Sequence, residues 1–266
     1  MSLFDQIESG RAIRPRRVLL YGPRGIGLSS LAAALPSPVF VTVDDSVAHL
    51  DCRRFPVARR FGGVMAALQE LYVQPHDYGV VVIDPLDALE RLVIDELCRE
   101  RGIEHVDDIL FAKGYTLALT VWRQLLGRLD LLRNDIGLHC VLVARAQVER
   151  RGETVGGGTA VALTERFVPA MDRQASALVQ GWCDDIFFAS HADRALPAGG
   201  GASAARIIHT QPSATHVAKN RLGLPPQLPM EPASLAPHFA TPPVAAVQAA
   251  THSSDCMSSA SGRRRR

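Results

Sequence analysis

One short segment constrains this chain more than any other. Residues 17–30 read RVLLYGPRGIGLSS. Arg17-Val18-Leu19-Leu20-Tyr21 is an apolar run suited to a buried parallel strand. Glycines follow at 22, 25 and 27, and Ser29-Ser30-Leu31-Ala32-Ala33-Ala34-Leu35 reads as the start of a helix that Pro36 ends. Strand, glycine loop and helix in that order are the setting in which G-x-x-x-x-G-K-[ST] forms a phosphate-binding P-loop. The glycines let the backbone turn tightly and aim several N–H groups at one anion. The helix start adds its partial positive charge. The candidate nucleotide cradle is therefore Gly22, Pro23, Arg24, Gly25, Ile26, Gly27, Leu28, Ser29 and Ser30.

Leu28 stands where that pattern requires lysine. The lysine ammonium reaches the β- and γ-phosphates, while the Ser/Thr hydroxyl holds Mg²⁺. Ser29 is present and the ammonium is not. Leucine donates no hydrogen bond and carries no charge, so the transition state suffers more than the bound ground state. A preorganised donor of this kind is worth roughly 3–4 kcal/mol of barrier. The expectation is ATP held by backbone amides and Mg²⁺, with hydrolysis weak or lost. Of the 29 lysine and arginine residues only Lys113 and Lys219 are lysines. A drift from lysine to arginine would have left arginine at position 28. Arg24, inside the loop, either supplies a substitute cation or points to solvent. A glycine turn that binds nothing is the plain alternative.

A P-loop ATPase also needs a carboxylate at the end of a buried strand, to hold Mg²⁺ directly or through water. Gly79-Val80-Val81-Val82-Ile83-Asp84 supplies it, which makes Asp84, with Ser29, a candidate metal ligand. Asp87, one helical turn on, reads as a helix N-terminal acid. Asp44-Asp45 close the strand Pro38–Val43. Lys219 and Arg221 lie two residues apart in the run Thr215–Arg221, so an extended chain puts both on one side. Such a pair suits an anionic partner, or else a solvated basic edge that discourages strand pairing.

The remaining pattern alternates strands and helices. Helices are expected at Phe61–Tyr72, Leu86–Arg101, Tyr115–Leu132 and Asp172–Gln180, and a further strand at Leu138–Ala144. This implies an α/β fold with a mostly parallel, doubly wound sheet. Asp185–Ser190, Ala205–Thr210 and Thr215–Ala218 are short strand candidates that would extend the sheet antiparallel. Residues 150–170, with Gly156-Gly157-Gly158, read as a mobile loop. Three regions follow: an N-terminal extension over 1–14, a nucleotide-binding domain over 15–225, and a disordered tail rich in Pro, Ala and Ser over 226–266 that ends in Arg263-Arg264-Arg265-Arg266.

The net charge of +2 is too small to imply nucleic-acid binding by itself. Five scattered cysteines without a C-x-x-C pair fit a reduced, cytoplasmic chain without a structural zinc site. No apolar leader and no membrane-spanning run is read.

With these pieces in place the chain resembles the phage-type AAA/RecA-like P-loop proteins, which include phage single-strand-annealing and recombination ATPases. The resemblance runs through YGPRGIGLSSLA, PVFVTVDD, VVVIDPLDALE, the AKGY of residues 112–115, the helix around Trp122, GWCDDIFFA and VAKNRLGLP, over roughly residues 15–225. It implies a RecA-like core that binds ATP with Mg²⁺ and assembles as a ring or filament on single-stranded DNA. It also implies roles for particular residues. Asp45 would activate the attacking water, if Asp44-Asp45 is more than a turn pair. Lys219 and Arg221 match a Lys-x-Arg pair that reaches the nucleotide of a neighbouring subunit. Two departures stand out: Leu28 in place of lysine, and Arg145 where the family often carries a polar sensor such as histidine. A scaffold or adaptor subunit without nucleotide turnover is the alternative. A small-molecule kinase would need a lid of arginines, and Arg150, Arg151 and Arg166 have no spacing that supports one.

Overall fold

A computed structural model describes residues 14–106, 114–154, 161–192 and 205–240, together with Phe4, Ile7, Ser9 and Gly10. The strands are β1 (Arg17–Gly22), β2 (Pro38–Thr42), β3 (Arg53–Arg54), β4 (Val80–Asp84), β5 (His139–Thr154), β6 (Val161–Pro169), β7 (Asp185–His191), β8 (Arg206–His209) and β9 (Gln227–Pro229). The helices are α1 (Leu28–Ala33), α2 (Phe61–Val73), α3 (Leu86–Arg101), α4 (Gly114–Leu131), α5 (Arg173–Trp182) and α6 (Pro232–Leu235).

The sheet runs β3-β2-β4-β5-β1-β7-β8-β9, with β6 paired to β5 off this path. Strands β3, β2, β4, β5, β1 and β7 are parallel neighbours, and β8 and β9 add antiparallel at the edge. The mostly parallel α/β sheet with an antiparallel extension is therefore present, as in RecA-like P-loop proteins. Its strands are buried on both faces, which is why they read as continuous apolar runs. Alternate residues serve different cores. Leu19, Tyr21, Val81, Ile83, Cys140 and Leu142 pack beneath α2 to α5. Val18, Leu20, Val80, Val82, Val141 and Val143 pack on the other face with α1 and α6.

Three expectations need correction. Residues 145–154 and 161–169 are not a loop but a hairpin, with Ala146 opposite Pro169 and Thr154 opposite Val161. The glycine run 156–158 lies outside the described residues. Thr215–Ala218 is not a strand. It makes one isolated bridge, His216 to Phe167, with a second just beyond it from Lys219 to Ile186, and the Tyr21 hydroxyl bonds its backbone. That hydroxyl donates to the Val217 carbonyl at 2.6 Å and accepts from the Val217 N–H at 2.9 Å.

The first part of the expected tail is folded. Residues 227–239 are folded, with Met230, Leu235 and Phe239 buried against the α1 face of the sheet. The prolines there cap and start short turns rather than forbid structure, as Pro232 does at the first position of α6. Residues 241–266, including the four terminal arginines, lie outside the described residues. Among the described residues no helix is long and apolar enough to cross a membrane.

Candidate nucleotide-binding site

The site lies at the carboxyl ends of the parallel strands, where open α/β sheets bind ligands. The loop leaves β1 at Gly22, whose backbone is packed against β7. A Cβ added there would sit 2.7 Å from the Ala189 carbonyl oxygen. Gly22→Ala is thus expected to destabilise the fold by about 1–3 kcal/mol, read as a lower Tm or urea midpoint. The Ile26 N–H then turns back to the Pro23 carbonyl at 3.3 Å. Gly27 adopts φ 101, ψ 27 in the left-handed region immediately before α1. The loop thus makes a tight turn that leads directly into α1.

Leu28 is 8% exposed and belongs to the apolar cluster with Ile26, Leu31, Ala32 and Leu35. Its side chain thus reinforces the core under the loop. Arg24 and Ser30 are exposed, and Ser29 is half-buried. The Ser29 hydroxyl lies beside the carboxyl of Asp84 and favours its charged form. Thr42 and Asp84 are register partners across β2 and β4. Strand β5 lies between the loop strand and the Asp84 strand. It brings Arg145 opposite Gly22.

The electrostatics of this cluster are strained. Asp84 is 3% exposed, and its Oδ2 has no hydrogen-bond partner among the described residues. Thr42 Oγ1 and Asp87 Oδ1 are likewise buried and unpaired. Burial, with Asp44 and Asp87 nearby, pushes the Asp84 carboxyl up to about 6 despite the Ser29 hydrogen bond and Arg145. Arg145 is shared, at 2.9 Å from Asp87 and 3.8 Å from Asp44. Glu90 is also raised, to about 7, chiefly by burial. It accepts two hydrogen bonds from the Asp172 N–H.

The expected site residues divide. Ser29, Asp84 and the loop converge, with Asp44, Asp87 and Arg145 around them. Asp45 does not: its side chain is 72% exposed and pairs with Arg59 at 3.8 Å. Asp44 accepts from the Ser46 N–H at 2.9 Å and is the member of the pair turned towards Arg145. Lys219 and Arg221 lie towards the other end of the sheet. Lys219 pairs with Ile186, itself in register with Leu19. Its ammonium donates to the Cys183 carbonyl at 2.5 Å, closing the end of α5. Arg221 meets Asp184 at 3.3 Å, and its side chain is 58% exposed. Neither reaches the loop of its own subunit. Lys113, in the AKGY segment, lies outside the described residues.

The donor set fits Mg²⁺ bound together with a nucleotide. Among the described residues no group of three or more His, Cys, Asp or Glu side chains is arranged to hold a metal alone. Mg²⁺ in such sites takes one or two protein ligands and completes its shell with phosphates and waters. A buried, unpaired carboxylate oxygen next to a serine hydroxyl, under a glycine loop, suits that mode of binding.

A family model described as an AAA domain, AAA_24, matches residues 14–222. The chain belongs to this AAA domain family. No curated protein is similar enough to be matched to it. The match covers the loop, Asp84, the β5–β6 hairpin and the Lys219–Arg221 segment, and stops before β9 and α6. The match supports a nucleotide-binding P-loop fold of the AAA type. The residue that sequence reasoning missed is Arg206. From β8 it donates to the Ile26 carbonyl at 2.9 Å, a contact across 180 residues that no local pattern announces.

Proposed function

We propose that this AAA domain binds ATP with Mg²⁺ at the Gly22–Ser30 loop and hydrolyses it slowly or not at all. The buried, unpaired Oδ2 of Asp84 beside Ser29 carries the reading. A turn without a ligand has no use for an acid whose burial disfavours its charge. Ser29 and Asp84 hold the Mg²⁺ side, and the loop N–H groups hold the phosphates. Bound Mg²⁺ neutralises charge building on the phosphates. Arg145, in register with Gly22 and steadied by Asp87, would supply positive charge to the terminal phosphate. Asp44, turned towards Arg145, would orient the attacking water, with the exposed Asp45 beyond it. The missing ammonium at Leu28 leaves the transition state under-stabilised.

The reading extends to single-stranded DNA and a homo-oligomeric ring or filament, in recombination or replication. Supporting it are the resemblance and the position of Lys219 and Arg221, which only a neighbouring subunit's nucleotide could meet. Both also serve their own fold, through Cys183 and Asp184. A second reading, a scaffold without nucleotide turnover, is favoured by Leu28 packing into the core.

Thermal melting with ATP at about 100-fold over Kd and Mg²⁺ is expected to add about 2.7 kcal/mol. In a chain of this size that is a rise of roughly 5–10 °C. EDTA should remove most of it, and an unchanged Tm favours the scaffold. For the DNA part, labelled oligo(dT) should show higher anisotropy, and sedimentation larger species, only with ATP and Mg²⁺. If neither changes, the DNA and oligomer reading fails.

A further inference from the structure

Arg206 enters the nucleotide site from the edge of the sheet. Its Nη1 donates to the Ile26 carbonyl at 2.9 Å. A Cβ on Gly27 would lie 2.5 Å from that nitrogen and 3.9 Å from the Met230 methyl. Gly27 is thus required twice, by its positive φ and by the guanidinium laid against it. The arginine is fixed from behind as well, since the Met230 N–H donates to the Arg206 carbonyl at 2.9 Å. A separate open cavity of about 370 Å³ lies on the β8–β9 side of Arg206, between Ala205, Gln227, Leu228, Met230 and Glu231, and does not include the loop residues.

The balance of charge separates this arginine from the other cations near the loop. Arg145 is matched by Asp87 and Asp44. Arg24, before Gly25, and Arg206 are both exposed, and Arg206 is the one anchored on a loop carbonyl. Arg206 is anchored on a neutral carbonyl, and no carboxylate pairs with it among the described residues. A guanidinium offers five N–H donors in a planar fork, so one bond to Ile26 leaves others for an anion. On the far flank of the loop, the buried Oδ2 of Asp84 stands unpaired beside Ser29, which marks that space independently as a ligand's.

We propose that Arg206 is the cation that stands in for the P-loop lysine in holding the bound nucleotide, without the lysine's part in the transition state. Its guanidinium, held on the Ile26 carbonyl, contacts phosphate oxygens of the nucleotide seated on the Gly22–Ser29 loop. The inference rests on the nucleotide-binding reading above. It explains how position 28 could pass to leucine: the charge comes from β8 at the side, and the side chain at 28 joins the core.

Calorimetric titration of the full chain with ATP and Mg²⁺ tests it, with Arg206→Gln, Arg206→Lys and Leu28→Lys/Arg206→Gln beside the unaltered protein. Arg206→Gln keeps a donor and removes the charge, and is expected to weaken ATP at least tenfold. Arg206→Lys should recover most of that loss. In the Leu28→Lys background the same Gln substitution should cost less than threefold, because the new ammonium takes over the role. The proposal is overturned by unchanged affinity in Arg206→Gln. It is also overturned by a loss undiminished in the Leu28→Lys background, or by one that follows a fall in ligand-free Tm, the mark of a merely structural arginine. Absence of ATP binding in the unaltered protein overturns this inference and the nucleotide reading together, whereas the preceding outcomes overturn this one alone.

Discussion

Leu28→Lys is expected to raise steady-state ATP hydrolysis by roughly 10²–10³-fold, the usual worth of one preorganised donor at a developing charge. The substitution returns an ammonium to the first residue of α1, immediately after the left-handed Gly27. Leu28 is buried, but it borders the loop mouth, so a lysine stem can lie along Ile26 and Leu31 while its charge reaches outward. On the proposed reading the other parts of the site are Ser29 beside Asp84, and Arg145 between Asp87 and Asp44. The gain should therefore appear in kcat more than in KM, since the ammonium matters most when charge builds on the transferring phosphoryl group. A rate no higher than that of the unaltered chain would mean that the loop no longer serves catalysis, and would favour the scaffold reading.

Asp84→Asn should move stability and function in opposite directions. The folded protein raises this carboxyl to about 6, above the usual aspartate value of 3.8, chiefly by burial. The unfolded chain therefore releases this proton at lower pH than the folded one does. The stability linked to the protonated carboxyl is fully present below about pH 4 and is lost as pH rises through 6. Asparagine resembles the protonated acid and does not lose it. Without ligand, the variant should be more stable than the parent by roughly 2–3 kcal/mol above pH 6, and the difference should vanish below pH 4. Glu90 titrates nearby with the same sign, so the difference between the two proteins is the quantity to measure, not either curve alone. The same substitution removes the anionic oxygen from the Mg²⁺ side and should abolish the Mg²⁺-dependent part of ATP binding. Equal stability of the two proteins at pH 8 would contradict the picture of a strained, ligand-seeking acid.

Much of the central sheet was legible because its cause is local. Val80-Val81-Val82-Ile83-Asp84 announces a strand buried on both faces that ends in an acid, and Arg17–Gly22 announces the loop strand. The convergence of Ser29 and Asp84 followed from motif spacing. The hairpin of β5 and β6 was not legible. Its arginines and the glycine run look like a loop, and the pairing that orders it joins residues such as Val148 and Phe167 across the gap. The folded stretch 227–239 hid behind its prolines, although Met230, Leu235 and Phe239 carry its apolar contacts. Asp44 and Asp45 are chemically equivalent in sequence. Only the turn closed by the Ser46 N–H decides which one faces Arg145. Arg206 was invisible because its contact with Ile26 joins residues 180 positions apart.

A glycine loop without its lysine is held here to grip a triphosphate still, through backbone amides, Ser29 and Asp84. Isothermal titration of the unaltered chain with ATP, once with Mg²⁺ and once with EDTA, tests this most directly. One saturable site per chain is predicted with Mg²⁺, and binding at least tenfold weaker with EDTA. No heat of binding under either condition, from protein shown to be folded, would contradict it.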